Sequence, residues 1–248
     1  MKWRCAVAGL ALSWGCATEE NVRSIHLVKP MLPPASAFEP WVLPLAAKKA
    51  QEQRGLGLQY RNAGDFESAI STLRSALSLD STQLSTYVVL GWTLHLDKQR
   101  PAAAAVLESA LDQAPDHVPA LNALGIVYLT EGDLEQAVTT HTRAADLQPD
   151  NEIAYYNLSL AYERLGEYEQ AIAAATQATA LEPSNPHPWV ALALSYWSSG
   201  EVETATDIYR QALGLDGRYR DLTYLDHLID AGFSPRQVET TAEILEQS

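Results

Sequence analysis

NLSLAYERLGEYEQAIAAATQATALEP, residues 157–183, reads as two helices that meet at a glycine, the second closed by a proline. Two earlier stretches carry the same pattern: GLGLQYRNAGDFESAISTLRSALSLD at 55–80 and ALGIVYLTEGDLEQAVTTHTRAADLQPD at 123–150. The spacing is 34 residues without slippage. Gly57, Gly91, Gly125, Ser159 and Ala193 recur at one position; Ala69, Ala103, Ala137, Ala171 and Ala205 at a second; Ala76, Ala110, Ala144, Ala178 and Ala212 at a third. A fixed period of this length marks a chain built of stacked supersecondary units, each burying its neighbour's apolar face.

The residue types explain themselves physically. Small side chains sit where two helices approach closely, and a larger one would force them apart. Gly64, Gly132, Gly166 and Gly200, each followed by Asp or Glu, end a first helix and begin a second: glycine accepts the left-handed cap and the acid suits the positive end of a helix. Pro115, Pro149 and Pro183 then stop the second helix. Repeat two departs from this rule, with Lys98-Gln99-Arg100 in place of glycine, acid and a large residue, and Pro101 next. Proline fits the opening turn of a helix, so a slightly altered turn is expected and not a lost repeat.

The set Tyr155, Leu158, Tyr162, Gly166, Glu167, Tyr168, Ala171, Ala178 and Pro183 resembles the tetratricopeptide repeat, and the likeness spans Ala50 to Tyr219. It implies an all-α fold: a right-handed superhelical solenoid of five helix-turn-helix repeats at about 50–83, 84–117, 118–151, 152–185 and 186–219. The repeat domain as a whole takes residues 45–219, and residues 220–248 are expected to add a capping helix pair over the apolar end of the stack. Gly232 reads as a helix C-cap; Ser234 as an N-cap, with Pro235 first in the helix, Gln237 completing a capping box, and Phe233 and Val238 placed as a hydrophobic staple.

The resemblance also implies a binding surface, because the first helices of such repeats line a concave groove. Carried over position by position, repeat one supplies Arg54 and Arg61, and repeat two supplies Val88, Trp92 and His95. Repeat three adds Asn122 and Ile126, repeat four Ile153, Tyr156, Asn157, Leu160 and Arg164, and repeat five His187, Val190, Leu194 and Trp197. Family members that capture a terminal carboxylate use lysines, an arginine and asparagines in three successive repeats. Here only Arg54 and Asn157 are reminiscent, three repeats apart, which argues against that clamp. The implied partner is an amphipathic helix or extended peptide of another protein, anchored on Trp92, Tyr156 and Trp197. The chain's own Pro-rich segment is an alternative occupant.

Other function classes fit poorly. The formal charge is −14, and between Pro101 and Gly217 only Arg143, Arg164 and Arg210 oppose seventeen acids. Such a surface repels nucleic acid, whose binding needs basic groups against phosphates. The six histidines show no metal-ligand spacing, and there is no phosphate loop or nucleophile elbow, so neither an enzyme, a metal nor a cofactor is expected. Asn157-Leu158-Ser159 matches a glycosylation sequon by chance, inside a packed helix.

At the N-terminus, Lys2 and Arg4 precede an apolar run from Cys5 to Ala17, followed by Glu19 and Glu20. This is signal-peptide layout, and the run is too short to span a membrane. Ser13-Trp14-Gly15-Cys16 resembles a bacterial lipobox, with residues 1–15 removed and Cys16 lipidated, although Leu12 lies one place early and Trp14 is bulky. Residues 16–44 would then be a Pro-rich tether, with Trp41, Val42 and Leu43 packing on the first repeat. The expectation is an envelope protein anchored to a bacterial membrane. A start at Met31 would instead give a cytoplasmic or thylakoid-associated assembly chaperone for a membrane complex, and a regulatory subunit of an enzyme is a separate alternative.

Overall fold

The structure, a computed structural model, describes residues 42–248. Cys16, the leader at 1–15 and nearly all of the proposed tether lie outside the described residues. Among the described residues the fold is all-α, with eleven α-helices and two 3-10 segments. Ten helices form five hairpins: α1 (Val42–Asn62) with α2 (Phe66–Leu79), α3 (Leu84–Leu96) with α4 (Arg100–Gln113), α5 (Val118–Glu131) with α6 (Leu134–Leu147), α7 (Glu152–Leu165) with α8 (Tyr168–Leu181), and α9 (Pro186–Ser199) with α10 (Val202–Leu215). Each pairs with its successor along the chain, and α3, α5, α7 and α9 also touch one another as an inner layer. This is the stacked helix-pair solenoid that the 34-residue period predicts.

One boundary differs. α1 opens at Val42, inside the stretch read as an extended tether, with Pro44 in its first turn, where the missing amide leaves no hydrogen bond unmade.

The small-residue positions are the closest approaches of the hairpins. A Cβ at Gly57 would lie 2.7 Å from Leu73 Cγ, and one at Gly91 2.5 Å from Leu107 Cγ. At Gly125 it would meet the His141 ring at 2.4 Å. Ala69, Ala76, Ala103, Ala110, Ala137 and Ala144 are all fully buried beside these contacts. Alanine and glycine thus set the interhelical distance, and the leucines opposite fill it.

The four turn glycines all take the left-handed conformation (φ 78 to 94°). At Gly132 and Gly166 the cap amide returns to the end of the helix before it. Asp65 and Asp133 complete the turn by accepting from the amides of Ser68 and Gln136; the longer Glu167 and Glu201 make no such bond. Repeat two keeps the turn at a cost: Lys98 adopts φ 61°, with its amide on His95 O and that of Gln99 on Leu94 O, each 2.9 Å. A side chain in this region is disfavoured by roughly 1–2 kcal/mol.

Past α10 the chain makes two 3-10 segments, Gly217–Arg220 and Leu222–Ile229, before α11 (Pro235–Glu246). The first member of the expected capping pair is therefore 3-10 and not α. Asp216 and Asp221 each accept from an amide two residues on, restarting the chain twice. Leu225 and Leu228, three apart in the second segment, are buried on the face that a three-residue turn aligns, and Tyr219 of the first segment is buried as well. α11 begins with the expected capping box, Ser234 N donating to Gln237 Oε1 (2.8 Å) and Gln237 N to Ser234 Oγ (3.3 Å).

The concave face and its own C-terminal segment

The tail does more than cap the stack. α11 packs on both α9 and α10, and residues 231–237 lie against α7. Tyr156 Oη donates to Ala231 O at 2.6 Å, and Gln237 Nε2 donates to Leu160 O (3.2 Å) and Glu163 Oε2 (2.7 Å). Phe233 is buried with its ring 6.3 Å from that of Tyr156. Gly232 lies beside Asn157, Leu129 and Leu160, where a Cβ would make ordinary van der Waals contact, so space alone does not require glycine. Its φ of 97° gives a conformational reason for glycine.

The groove positions inferred from sequence therefore fall into three groups. Leu160, Val190 and Leu194 are buried in one cluster with Leu225, Leu228, Phe233 and Ile244, and half-buried Trp197 packs against that cluster. A second group is spent on joining repeats. Arg54 bonds Ser85 of the next repeat, and Asn122 exchanges amide hydrogen bonds with Asn151 at 2.9 and 3.2 Å. Arg164 Nη1 donates to Leu129 O at 2.6 Å, closing the end of α5. Among the described residues Arg61 reaches only its neighbour Asn62, at 3.4 Å, and Val88 packs half-buried in the core of the first repeats.

The third group borders what remains of the groove, with Trp92, His95 and Ile126 half-buried and Tyr156 and Asn157 buried. Trp92, His95, Ile126, Tyr156 and Asn157 line a concavity of about 820 Å³ whose far wall is the tail segment Ile229–Gly232. Trp92 and His95 stack at 5.0 Å and form a flat wall. Leu96, Ile153 and Ile229, all more than 40% exposed, add apolar surface around it. The Asn157 amide nitrogen is committed to Ile153 O (2.8 Å) in its own helix. Sequence reasoning missed Lys98, Arg100, Glu152 and the tail wall, whereas His187 lines the concavity as its repeat position implies. The Lys98-Gln99-Arg100 departure was the available signal for the first two.

Electrostatics in the concavity are set by partial burial. Burial, and then the charge of Arg100, hold the His95 imidazole below its ordinary range; burial and then His227 do the same to His187. Burial, followed by Glu182, pushes the Glu152 carboxyl up to about 7. His187 also joins Tyr219, Tyr224 and His227 in an aromatic nest, with Tyr224 stacked on His227 at 4.0 Å and the Arg218 guanidinium 4.7 Å from the Tyr224 ring centre. The nest ties repeat five to the 3-10 segments. Among the described residues no group of His, Cys, Asp and Glu has the geometry of a metal site, and no helix is long and apolar enough to cross a membrane.

Comparison with known proteins agrees with this architecture. A family described as tetratricopeptide repeat matches residues 93–152, 122–186 and 156–220, and a second of the same description matches 55–83. No curated protein matches the sequence. Among solved structures, a crystal structure of MamA protein aligns with a TM-score of 0.59 at 23% identity, covering 69% of this chain and 93% of that one. A second MamA crystal structure gives 0.59 at 25% identity, over 65% and 95% of the two chains. MamA 41-end from Desulfovibrio magneticus RS-1 gives 0.62 at 22% identity, over 70% and 97%. These likenesses are in fold. With matches to the repeat running through residues 93–220, and the same period carried by residues 55–83, the chain belongs to the tetratricopeptide repeat family.

Proposed function

We propose that this chain is a noncatalytic scaffold that holds a segment of a partner protein in the open part of its concave groove, between α3 and the tail. The observation that carries the reading is the uncovered apolar lining. Leu96, Ile153 and Ile229 stand exposed around the Trp92–His95 wall, whereas the part of the groove formed by Leu160, Val190 and Leu194 is closed by the tail. Exposed aliphatic side chains next to a flat aromatic surface suit a peptide or helix with apolar anchors. The tail shortens the available groove, so the bound segment is short.

A photo-crosslinking residue at position 153, on the groove, and one at position 147, on α6 outside it, test this in the native cells. Crosslinks to a protein partner are expected from 153 and not from 147, and Trp92→Ala should suppress them. Equal crosslinking from both positions, or crosslinks from 147 alone, would overturn the assignment.

A further inference from the structure

The turn of repeat two differs from its four siblings in ways that converge on the open concavity. Gly64-Asp65-Phe66, Gly132-Asp133-Leu134, Gly166-Glu167-Tyr168 and Gly200-Glu201-Val202 each carry one negative charge; Lys98-Gln99-Arg100 carries two positive ones. The local structure is worse for it. Lys98 occupies the left-handed conformation that glycine takes in every sibling. Departures from an internal rule that cost stability and cluster at one surface are the signature of a site.

Both cations line the concavity, and neither is in an ion pair among the described residues. Arg100 Nε and His95 Nδ1 are buried there without a hydrogen-bond partner. The nearest acid in sequence, Asp97, is held by Gln99 Nε2 at 2.7 Å, and the concavity's own acids are Glu152, on α7, and Asp230, on the tail wall. In a chain of net charge −14 this end of the groove brings together two cations that make no ion pair among the described residues, set beside apolar surface.

Building on the scaffold reading above, we infer that the groove selects a partner segment carrying an acidic side chain flanked by apolar residues. The carboxylate is seated at Lys98 and Arg100, and the apolar residues lie on Trp92, Ile126 and Ile153. A guanidinium and an ammonium that already lack partners lose little on meeting a carboxylate, and charge-assisted hydrogen bonds at a half-buried rim are stronger than neutral ones. The bulk of the protein's acidic surface repels other acidic sequences, so the spot also fixes the register of the segment.

The test uses the full chain and random 12-residue peptides displayed on phage, with the selected sequences remade carrying a fluorophore and their affinities read by anisotropy. Selected peptides should share an Asp or Glu between apolar residues. They should bind at least tenfold more weakly to the double variant Lys98→Gly, Arg100→Gln, whose glycine relieves the backbone and keeps the fold. Lys98→Glu with Arg100→Glu should select basic peptides instead. Peptides without acids, or affinities unchanged by removing both cations, would overturn the inference. If such peptides are still lost on Trp92→Ala, the groove stands and only its charge preference falls. If Trp92→Ala changes nothing, the scaffold reading falls with it. Selected sequences matching residues 26–44 would make the occupant the chain's own segment and overturn the partner assignment.

Discussion

His141→Leu should make this protein more stable, and more so in acid. The His141 side chain is fully buried against Gly125, in the place where Leu73 and Leu107 fill the hairpins of repeats one and two against Gly57 and Gly91. Neither of its ring nitrogens makes a well-formed hydrogen bond, although the Gly125 backbone lies close enough to favour the charged ring slightly. An unsatisfied buried polar group costs about 1–3 kcal/mol, and leucine is close to histidine in volume and already fits the equivalent sites. A gain of roughly 1–3 kcal/mol at pH 7 follows. The acid dependence has a definite sign. Burial pushes the folded-state value of His141 from 6.5 down to about 3, so between those values the unfolded chain binds one more proton than the folded one. The stability withheld by that proton is present above pH 6.5 and is lost as the pH falls. The loss is about 1.4 kcal/mol per unit at most, or roughly 2 kcal/mol between pH 7 and 5. His95, His117 and His187 are also lowered by burial and act in the same direction, so the informative quantity is the difference between wild type and variant. Urea unfolding followed by circular dichroism at pH 7 and pH 5 measures it. A variant no more stable than wild type at pH 7, with the same loss on acidification, would refute the reasoning.

Lys98→Gly should raise stability by roughly 1 kcal/mol by relieving the left-handed turn, and a lowered urea midpoint would show that the lysine side chain contributes more than its backbone costs. Phe233→Ala removes a ring only 3% exposed that packs on Tyr156; a loss of about 3–4 kcal/mol is expected, whereas a loss below 1 would mean that the tail is not held on the groove as described. The intact mass of the chain from its native cells decides the N-terminus: an acylated Cys16 supports an envelope scaffold, and an unmodified chain beginning at Met31 would end that proposal.

The solenoid was legible because its cause is periodic. Glycine and alanine recur wherever hairpins must approach, and each such position is a close contact in the structure. The groove was less legible, since position within a repeat predicts which way a residue faces but not what covers it. Val190 and Leu194 point inward as their register requires, and they are then covered by Leu228, Phe233 and Ile244 from a segment that has no repeat register at all. The same limit applies to Arg54, Asn122 and Arg164, whose polar ends are used up by neighbouring repeats at separations of 29 to 35 residues. The 3-10 stretch before Gly232 was hidden for a different reason. Its leucine spacing of three is compatible with either helix type, and the two Asp-initiated turns that decide between them are local competitions between side chain and backbone.

The hydrogen bonds from Gln237 to α7 close a loop of more than 70 residues, which alters the order in which the chain can be finished as it is made. An ordinary repeat array completes each unit soon after it leaves the ribosome, because every contact is to a neighbour. Here Leu160, Val190 and Leu194 are not covered until residues 225–244 emerge, so the newborn protein passes through a stage in which all five repeats are made and an apolar face is still open. Any partner or chaperone that acts during synthesis meets a longer groove than the finished molecule offers.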